Sequence, residues 1–163
     1  MKKREHTISG LVNNAPGVLL QITGIFTKEK INIKSLAVGE TEDPKVSRMT
    51  IVVLDDESKI RLAENEIRKI KEVIAIDDLT RKDFIDRELT LVKIKSDKEN
   101  MPQIMQIVEI FRANIVGFGK TTITVEMTGD EEKINGIIKL LMPFGIKSLV
   151  RTGKIALKRG DDI

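Results

Sequence analysis

Asn13-Asn14-Ala15-Pro16-Gly17-Val18-Leu19 is the stretch in which an alternating strand ends and an amphipathic helix begins. The residues before it alternate with polar neighbours, as in a half-buried strand: Ile8, Gly10 and Val12. The apolar residues from this stretch onward recur at helical spacing: Val18, Ile22, Ile25 and Phe26. The chain therefore begins with a strand followed directly by a helix.

The Pro-Gly pair at this junction predicts an anion site. Pro16 has the fixed φ that suits the first helical position, and Gly17 lacks the Cβ that would keep a ligand away from the backbone. A carboxylate at the first turn meets unsatisfied N–H groups and the positive end of the helix dipole, worth roughly 0.3 to 2 kcal/mol beyond its hydrogen bonds. The alternative is that the pair only marks a strand-to-helix turn.

The sequence contains an internal repeat. Gln21-Ile22-x-x-Ile25-Phe26 recurs as Gln106-Ile107-x-x-Ile110-Phe111, and Asp56-Glu57-x-Lys59-Ile60 recurs as Asp130-Glu131-x-Lys133-Ile134. The two pairs are offset by 85 and 74 residues, so the second copy is 11 residues shorter between these motifs. Two copies of one unit follow, the first with an extra segment.

Each copy is predicted to have the order βαββαβ. In the first copy a hairpin is expected over residues 31–54, then an amphipathic helix over residues 57–70, then the strand Val73-Ile74-Ala75-Ile76. The same order of strands and helices is predicted for the second copy. Its last strand, over residues 146–157, is broken near Gly153. We predict an α+β protein of two ferredoxin-like domains, residues 1–80 and 88–159, with a linker at 81–87 and a tail at 160–163. Apolar residues on the second sheet face favour a dimer.

Composition excludes several classes of function. Charged residues make up 33% of the chain with both signs interspersed and a net charge of only +3, which indicates a soluble surface. The absence of cysteine excludes disulfides, zinc-thiolate sites and thiol nucleophiles, and agrees with a cytoplasmic location. No apolar run is long enough to cross a bilayer, and neither a secretory signal nor a membrane partner is expected. RNA-recognition domains share the βαββαβ order but stack bases on strand aromatics, which the central strands here lack. A nucleic-acid partner is therefore not expected.

The two copies differ at the helix start. Asn14-Ala15-Pro16-Gly17 corresponds to Asn100-Met101-Pro102-Gln103, so the proline is kept and the glycine is not. A glycine needed only to begin the helix would be needed in both copies. The comparison therefore favours a ligand-binding role for Gly17.

Motifs spread over nearly the whole chain carry a resemblance to a known family. In the first copy they are Asn14-Ala15-Pro16-Gly17-Val18-Leu19, Ile31-Asn32-Ile33-Lys34-Ser35-Leu36, Thr41-Glu42-Asp43-Pro44 and Ser47-Arg48-Met49-Thr50-Ile51. In the second they are Leu91-Val92-Lys93-Ile94, Glu109-Ile110-Phe111-Arg112-Ala113, Pro143-Phe144-Gly145-Ile146-Lys147 and Val150-Arg151-Thr152-Gly153. Together they resemble the regulatory small subunits of acetolactate synthase, also called acetohydroxyacid synthase, with an N-terminal ACT domain and a C-terminal ACT-like domain.

The resemblance implies a regulatory rather than a catalytic protein. Members of this family bind a separate catalytic large subunit, raise its activity and confer feedback inhibition by a branched-chain amino acid, typically valine. The resemblance implies no cofactor in this chain; thiamine diphosphate, Mg and FAD are expected on the catalytic partner only. The residues agree, because the single histidine, His6, cannot form a cluster and no catalytic or metal-binding constellation is present. The alternative is a freestanding amino-acid sensor that acts on another partner.

By the same resemblance, the effector lies between two N-terminal ACT domains of a homodimer. Its carboxylate is expected at the N–H groups of Gly17, Val18 and Leu19, with polar contacts from Asn14 and from Asn32 and Ile33 of the neighbouring chain. The alternative for Asn14 is a helix cap, and the alternative for Asn32 is tolerance of a turn at the start of a strand.

Two further features concern the first copy. Its longer hairpin, residues 39–48, is a candidate contact with the catalytic subunit through Glu42, Asp43 and Arg48; the alternative is a solvated hairpin tip. Where relatives usually carry glycine shortly before Asn32, this chain has Lys30. A left-handed helix cap at Lys30 would cost roughly 1 kcal/mol, unless the helix ends differently.

Overall fold

The computed structural model describes residues 3–161 and divides the chain into two compact units. The first unit comprises Met1–Ile85 together with Lys154–Ile163, and the second comprises Asp86–Gly153. Each unit contains one copy of the sequence repeat, and each has the predicted order of strands and helices. The α+β class and the two ferredoxin-like folds are therefore confirmed.

The first unit is a four-stranded antiparallel sheet with two helices on one face. Its strands lie in the order β2-β3-β1-β4, so β2 and β4 are the edges. In chain order its elements are β1 (Arg4–Asn13), α1 (Val18–Lys28), β2 (Ile33–Glu40), β3 (Val46–Asp55), α2 (Glu57–Ile67) and β4 (Val73–Asp78).

The core of the first unit lies between the sheet and the two helices. Ile8 pairs with Ile51 in the middle of the sheet, and both are fully buried against apolar side chains of the helices. Ile22 and Phe26 of α1 are completely buried, as the helical spacing predicts. Burial of each such side chain contributes about 1.5 to 3 kcal/mol, so these positions orient α1 and fix where its first turn lies.

The opposite face of the first sheet is also covered, which corrects the prediction that β1 is half-buried. Thr7 and Ser9 on that face are buried. A final strand, β9 (Ile155–Lys158), contacts β1 and β3, and the Ala156 N–H donates to Thr50 Oγ1 at 3.2 Å. The alternation of apolar and polar residues along β1 is confirmed, but the polar side of the sheet is covered by a segment of the same unit.

The second unit repeats the design with shorter strands. Its sheet order is β6-β7-β5-β8, again antiparallel. Its hairpin strands have 5 and 8 residues, against 8 and 10 in the first unit, so the extra length predicted for the first copy is confirmed. Its elements are β5 (Phe84–Lys95), α3 (Met101–Ile110), β6 (Asn114–Phe118), β7 (Thr122–Gly129), α4 (Glu131–Leu141) and β8 (Ile146–Arg151).

The unit boundaries differ from the predicted domain boundaries at both ends of the second copy. β5 begins at Phe84, inside the predicted linker 81–87. Gly153 has a φ of 82°, which turns the chain after β8, and residues from Lys154 onward group with the first unit rather than with the domain predicted to end at 159. Residues 1–2, and residues 162–163 of the predicted tail, lie outside the described residues. Each helix of residues 3–161 is too short or too polar to span a lipid bilayer.

Candidate functional site

The first turn of α1 begins one residue later than the sequence indicates. Gly17 is the N-cap, with φ 86° and ψ −11°, and Val18 is the first helical residue. Because a left-handed residue cannot continue a right-handed helix, Pro16 lies before the cap. The prediction that Pro16 occupies the first helical position was therefore wrong.

The need for glycine at position 17 comes from its backbone conformation. A φ of 86° is strained for any residue with a side chain. An added Cβ would have no neighbouring heavy atom within 4 Å, so it would point into open space. The first turn of α1 is therefore approachable from outside the unit.

The N–H groups at this helix start are not used by the described part of the chain. Over residues 3–161, the N–H groups of Gly17, Leu19 and Leu20 donate to no protein acceptor, and that of Val18 reaches only the Ala15 carbonyl at 3.5 Å. The first regular helical bond runs from the Gln21 N–H to the Gly17 carbonyl at 3.0 Å. No side chain caps the helix and its first turn contains no acidic residue. Open donors and the positive helix dipole together favour an anion here.

The equivalent helix of the second unit already has a carboxylate at its start. Asp97 Oδ1 accepts from the N–H groups of Glu99 at 3.0 Å and Asn100 at 2.9 Å. This helix begins at Met101, so Pro102 and Gln103 are helical and no left-handed residue is needed. The difference between Gly17 and Gln103 thus has a conformational cause, which the comparison of the two copies missed. The spacing Asp97-x-x-Asn100 was the available signal.

Asn14 connects the helix start to the hairpin between β2 and β3. Its Nδ2 donates to Glu40 Oε1 at 3.1 Å and to the Pro44 carbonyl at 3.0 Å, and its N–H donates to the Lys45 carbonyl at 2.7 Å. Asn14 is therefore not a helix cap. Glu40, which sequence reasoning did not select, lies at the same end of the sheet as the open donors of α1.

The remaining predicted effector residues are divided between two places. Val18 is buried in the core and Leu19 is 40% exposed. Asn32 and Ile33 lie at the start of β2, where Ile33 pairs with Val53, whereas Glu40 at the end of β2 pairs with Ser47. An eight-residue strand is about 23 Å long. One chain therefore does not bring Asn32 and Ile33 to the first turn of its own α1.

The three residues predicted to contact a partner protein do not form one surface. Glu42 and Asp43 lie exposed in the turn between β2 and β3, where Asp43 Oδ1 accepts from the Lys45 N–H at 2.9 Å. Arg48 lies within β3, and its Nη1 donates to Ser9 Oγ at 3.2 Å on the sheet face away from α1 and α2. Alternation along the strand directs Arg48 away from the hairpin tip, so Arg48 lies apart from Glu42 and Asp43, and a contact of these residues with the catalytic subunit stays a prediction.

The single histidine has a structural environment. His6 is completely buried, its Nδ1 lies 2.6 Å from Asp78 Oδ2, and its Nε2 accepts from Arg4 Nε at 3.3 Å. Both ring nitrogens are therefore occupied. Over residues 3–161 no group of three or more metal-ligating side chains is placed to hold a metal ion.

Comparison with known proteins agrees with this architecture. Residues 87–160 match the family described as "Small subunit of acetolactate synthase", and residues 8–75 match "AHAS small subunit-like ACT domain". The chain is 40% identical over 157 residues to a probable acetolactate synthase small subunit of Archaeoglobus fulgidus, covering 96% of this chain and 98% of that relative. The chain belongs to the acetolactate synthase small-subunit family.

Other members of this family show how far the similarity extends. The acetolactate synthase small subunit of Aquifex aeolicus is 40% identical, with 96% of this chain and 82% of that relative covered. The crystal structure of the small subunit from Thermotoga maritima has a TM-score of 0.88 and 34% identity, covering 98% of this chain and 99% of that one. The resemblance seen in the sequence motifs is thereby confirmed over both units.

Proposed function

We propose that this chain is the regulatory small subunit of an acetolactate synthase and is not itself the catalyst. It binds the catalytic large subunit in the cytoplasm, raises the activity of that subunit and confers feedback inhibition by a branched-chain amino acid, typically valine. Thiamine diphosphate, Mg and FAD belong to the large subunit. Membership of the family supports this role.

The open donors at the start of α1 support the effector site. The carboxylate of a free amino acid receives the N–H groups of Gly17, Leu19 and Leu20, in the way that Asp97 receives two N–H groups before α3. The Asn14 amide and the Glu40 carboxylate, joined at 3.1 Å, offer acceptors for the ammonium group. A zwitterion is therefore matched at both of its charged ends.

The arrangement of β2 supports a site that is shared between two chains. β2 is an edge strand, bonded only to β3. A two-fold axis beside the middle of β2, with two copies antiparallel, places Asn32 and Ile33 of the partner subunit beside the Glu40 end of the first chain. The same operation forms a second, identical site. This is the arrangement in which the two separated groups of predicted residues act together.

Exposed apolar side chains on α1 and β2 support the dimer. Leu20 on α1 is 76% exposed, and Val38 on β2 is 46% exposed. An unpaired strand edge with apolar neighbours favours association with a second chain. Burial of these side chains would add to the hydrogen bonds between the two β2 strands.

Binding across a dimer interface explains regulation. An effector shifts an equilibrium only by its difference in affinity for two conformations. Two subunits can adopt two relative arrangements at their interface. A coupling of about 1 to 3 kcal/mol is usual for such systems. Valine bound at the dimer interface would favour the arrangement in which the large subunit is less active.

Calorimetry and sedimentation test this function. The full chain is titrated with valine, leucine and isoleucine, its mass is measured with and without ligand, and it is then assayed with the catalytic large subunit. We expect a dimer, binding of at least one of the three amino acids, and activation that the same amino acid reverses. Binding without any effect on a co-purified thiamine-diphosphate enzyme would instead indicate a freestanding sensor.

A further inference from the structure

A cavity of the first unit lies on the sheet face that α1 and α2 do not cover. Its volume is about 520 Å³, within the usual range for small-molecule sites. Two cross-strand rows form its floor, since Arg48, Leu11 and Ala75 are register partners across β3, β1 and β4, and Ser9 is paired with Asp77 in the next row. Leu157 and Lys158 of β9 line its side.

Two arginines line this cavity without a carboxylate at ion-pair distance among residues 3–161. Arg48 Nη1 donates to Ser9 Oγ at 3.2 Å, and Arg68 Nη2 donates to the Ile76 carbonyl at 3.1 Å. Both acceptors are neutral, and within residues 3–161 neither guanidinium is within 4.0 Å of a carboxylate oxygen. A guanidinium has five N–H donors, so most donors of each arginine remain available.

Among residues 3–161, the acidic side chain that lines the cavity is Asp77, and lysines neutralise its charge. Asp77 Oδ2 lies 2.5 Å from Lys82 Nζ and 3.1 Å from Lys158 Nζ. Burial raises the pKa of Asp77, but the two lysines outweigh it and hold that pKa below its usual range. Asp77 therefore stays ionised and engaged with lysines, so the two arginines can receive another anion.

We infer that this cavity binds a small organic dianion, a dicarboxylate or a phosphate ester, through the guanidinium groups of Arg48 and Arg68. The planar donor fork of arginine matches both carboxylate and phosphate oxygens. Leu11 and Ala75 on the floor contact the carbon part of the ligand. This site is separate from the first turn of α1, because none of its lining residues belongs to that turn.

Nuclear magnetic resonance of the full chain tests the site with two probes, inorganic phosphate and malonate. We expect shift changes at the backbone N–H groups of Ser9, Leu11 and Ala75, and an affinity that falls as sodium chloride is added. Binding of phosphate alone assigns the natural ligand to the phosphate esters, binding of malonate alone assigns it to the dicarboxylates, and either result supports the site. Binding of neither probe, or shift changes confined to the first turn of α1, overturns it.

Five variants separate this site from the effector site. Arg48→Gln and Arg68→Gln should each weaken probe binding about ten-fold or more, because each removes a charge-assisted contact. Arg87→Gln removes the same charge from an exposed position outside the cavity and should change affinity less than about two-fold. Arg48→Lys keeps the charge without the fork and should give an intermediate affinity. Gly17→Asp should leave probe binding unchanged. Wild-type affinity in both Arg48→Gln and Arg68→Gln contradicts the assignment.

Discussion

Gly17→Asp tests the effector site most selectively. The new carboxylate would stand in front of the first turn of α1, where the structure has open donors and no neighbouring heavy atom within 4 Å of the added Cβ. It would therefore occupy the place proposed for the carboxylate of the effector without a collision inside the unit. We expect the fold and activation of the large subunit to persist while inhibition by valine is lost.

The size of the effect follows from the charges and from the backbone. Two carboxylates about 4 Å apart near a protein surface repel by about 4 kcal/mol, which corresponds to roughly a thousand-fold loss of affinity. The left-handed conformation at Gly17, with φ 86°, would separately lower the free energy of unfolding by about 1 to 2 kcal/mol. The first effect concerns ligand binding, and the second concerns stability.

Gly17→Asn provides the matched control. Asparagine has the shape of aspartate and tolerates the left-handed region, but it adds no negative charge. Calorimetry with valine should show a much larger loss for Gly17→Asp than for Gly17→Asn, while both remain dimeric in sedimentation. If Gly17→Asp bound valine within about three-fold of the wild-type affinity, the proposed position of the valine carboxylate would be refuted.

Three other substitutions test separate parts of the account. Asn32→Ala should weaken valine binding about ten-fold, the effect of losing a hydrogen bond to a charged group, whereas Asn65→Ala on α2 should not; equal affinities by calorimetry would show that Asn32 does not reach the ligand. Lys30→Gly should raise the free energy of unfolding by about 1 kcal/mol, because Lys30 has a φ of 55°, and thermal unfolding should show a gain of roughly 2 to 4 °C; a lower Tm would contradict this. Glu64→Gln should stabilise the protein at pH 7. Burial, then Asp78 and Asp77, raise the pKa of Glu64 against the opposing effect of Arg68. The ionised form of Glu64 therefore destabilises the fold as pH rises through that pKa. Urea unfolding should show the difference vanish near about pH 4, and a less stable variant at pH 7 would refute it.

The repeated βαββαβ order could be predicted because each helix has its apolar residues at clear helical spacing. Ile22 and Phe26 were assigned to the core and are completely buried. Lys30 adopts the left-handed conformation that was considered for it, and the Ile31 N–H closes the cap on the Phe26 carbonyl at 2.8 Å. Local spacing therefore predicted the elements, whereas the left-handed cap at Lys30 was one of two alternatives that the sequence left open.

Other features depended on long-range packing or on backbone conformation, which spacing does not report. β3 is a nearly continuous run of strand-forming residues, so the direction of Arg48 could not be read from its neighbours. Thr7 and Ser9 are buried on a sheet face that β9 contacts, and β9 lies more than 140 residues later in the chain. The start of α1 at Val18 depends on the φ of Gly17. Glu40 belonged to no motif that identified its role.

A crystal structure of the dimer with valine would show directly whether the effector lies between two chains. We expect valine between two chains, with its carboxylate on the N–H groups at the start of α1 and Asn32 of the partner subunit on the opposite side. Valine bound within a single chain, or a dimer in which protein atoms fill that position, would contradict this expectation.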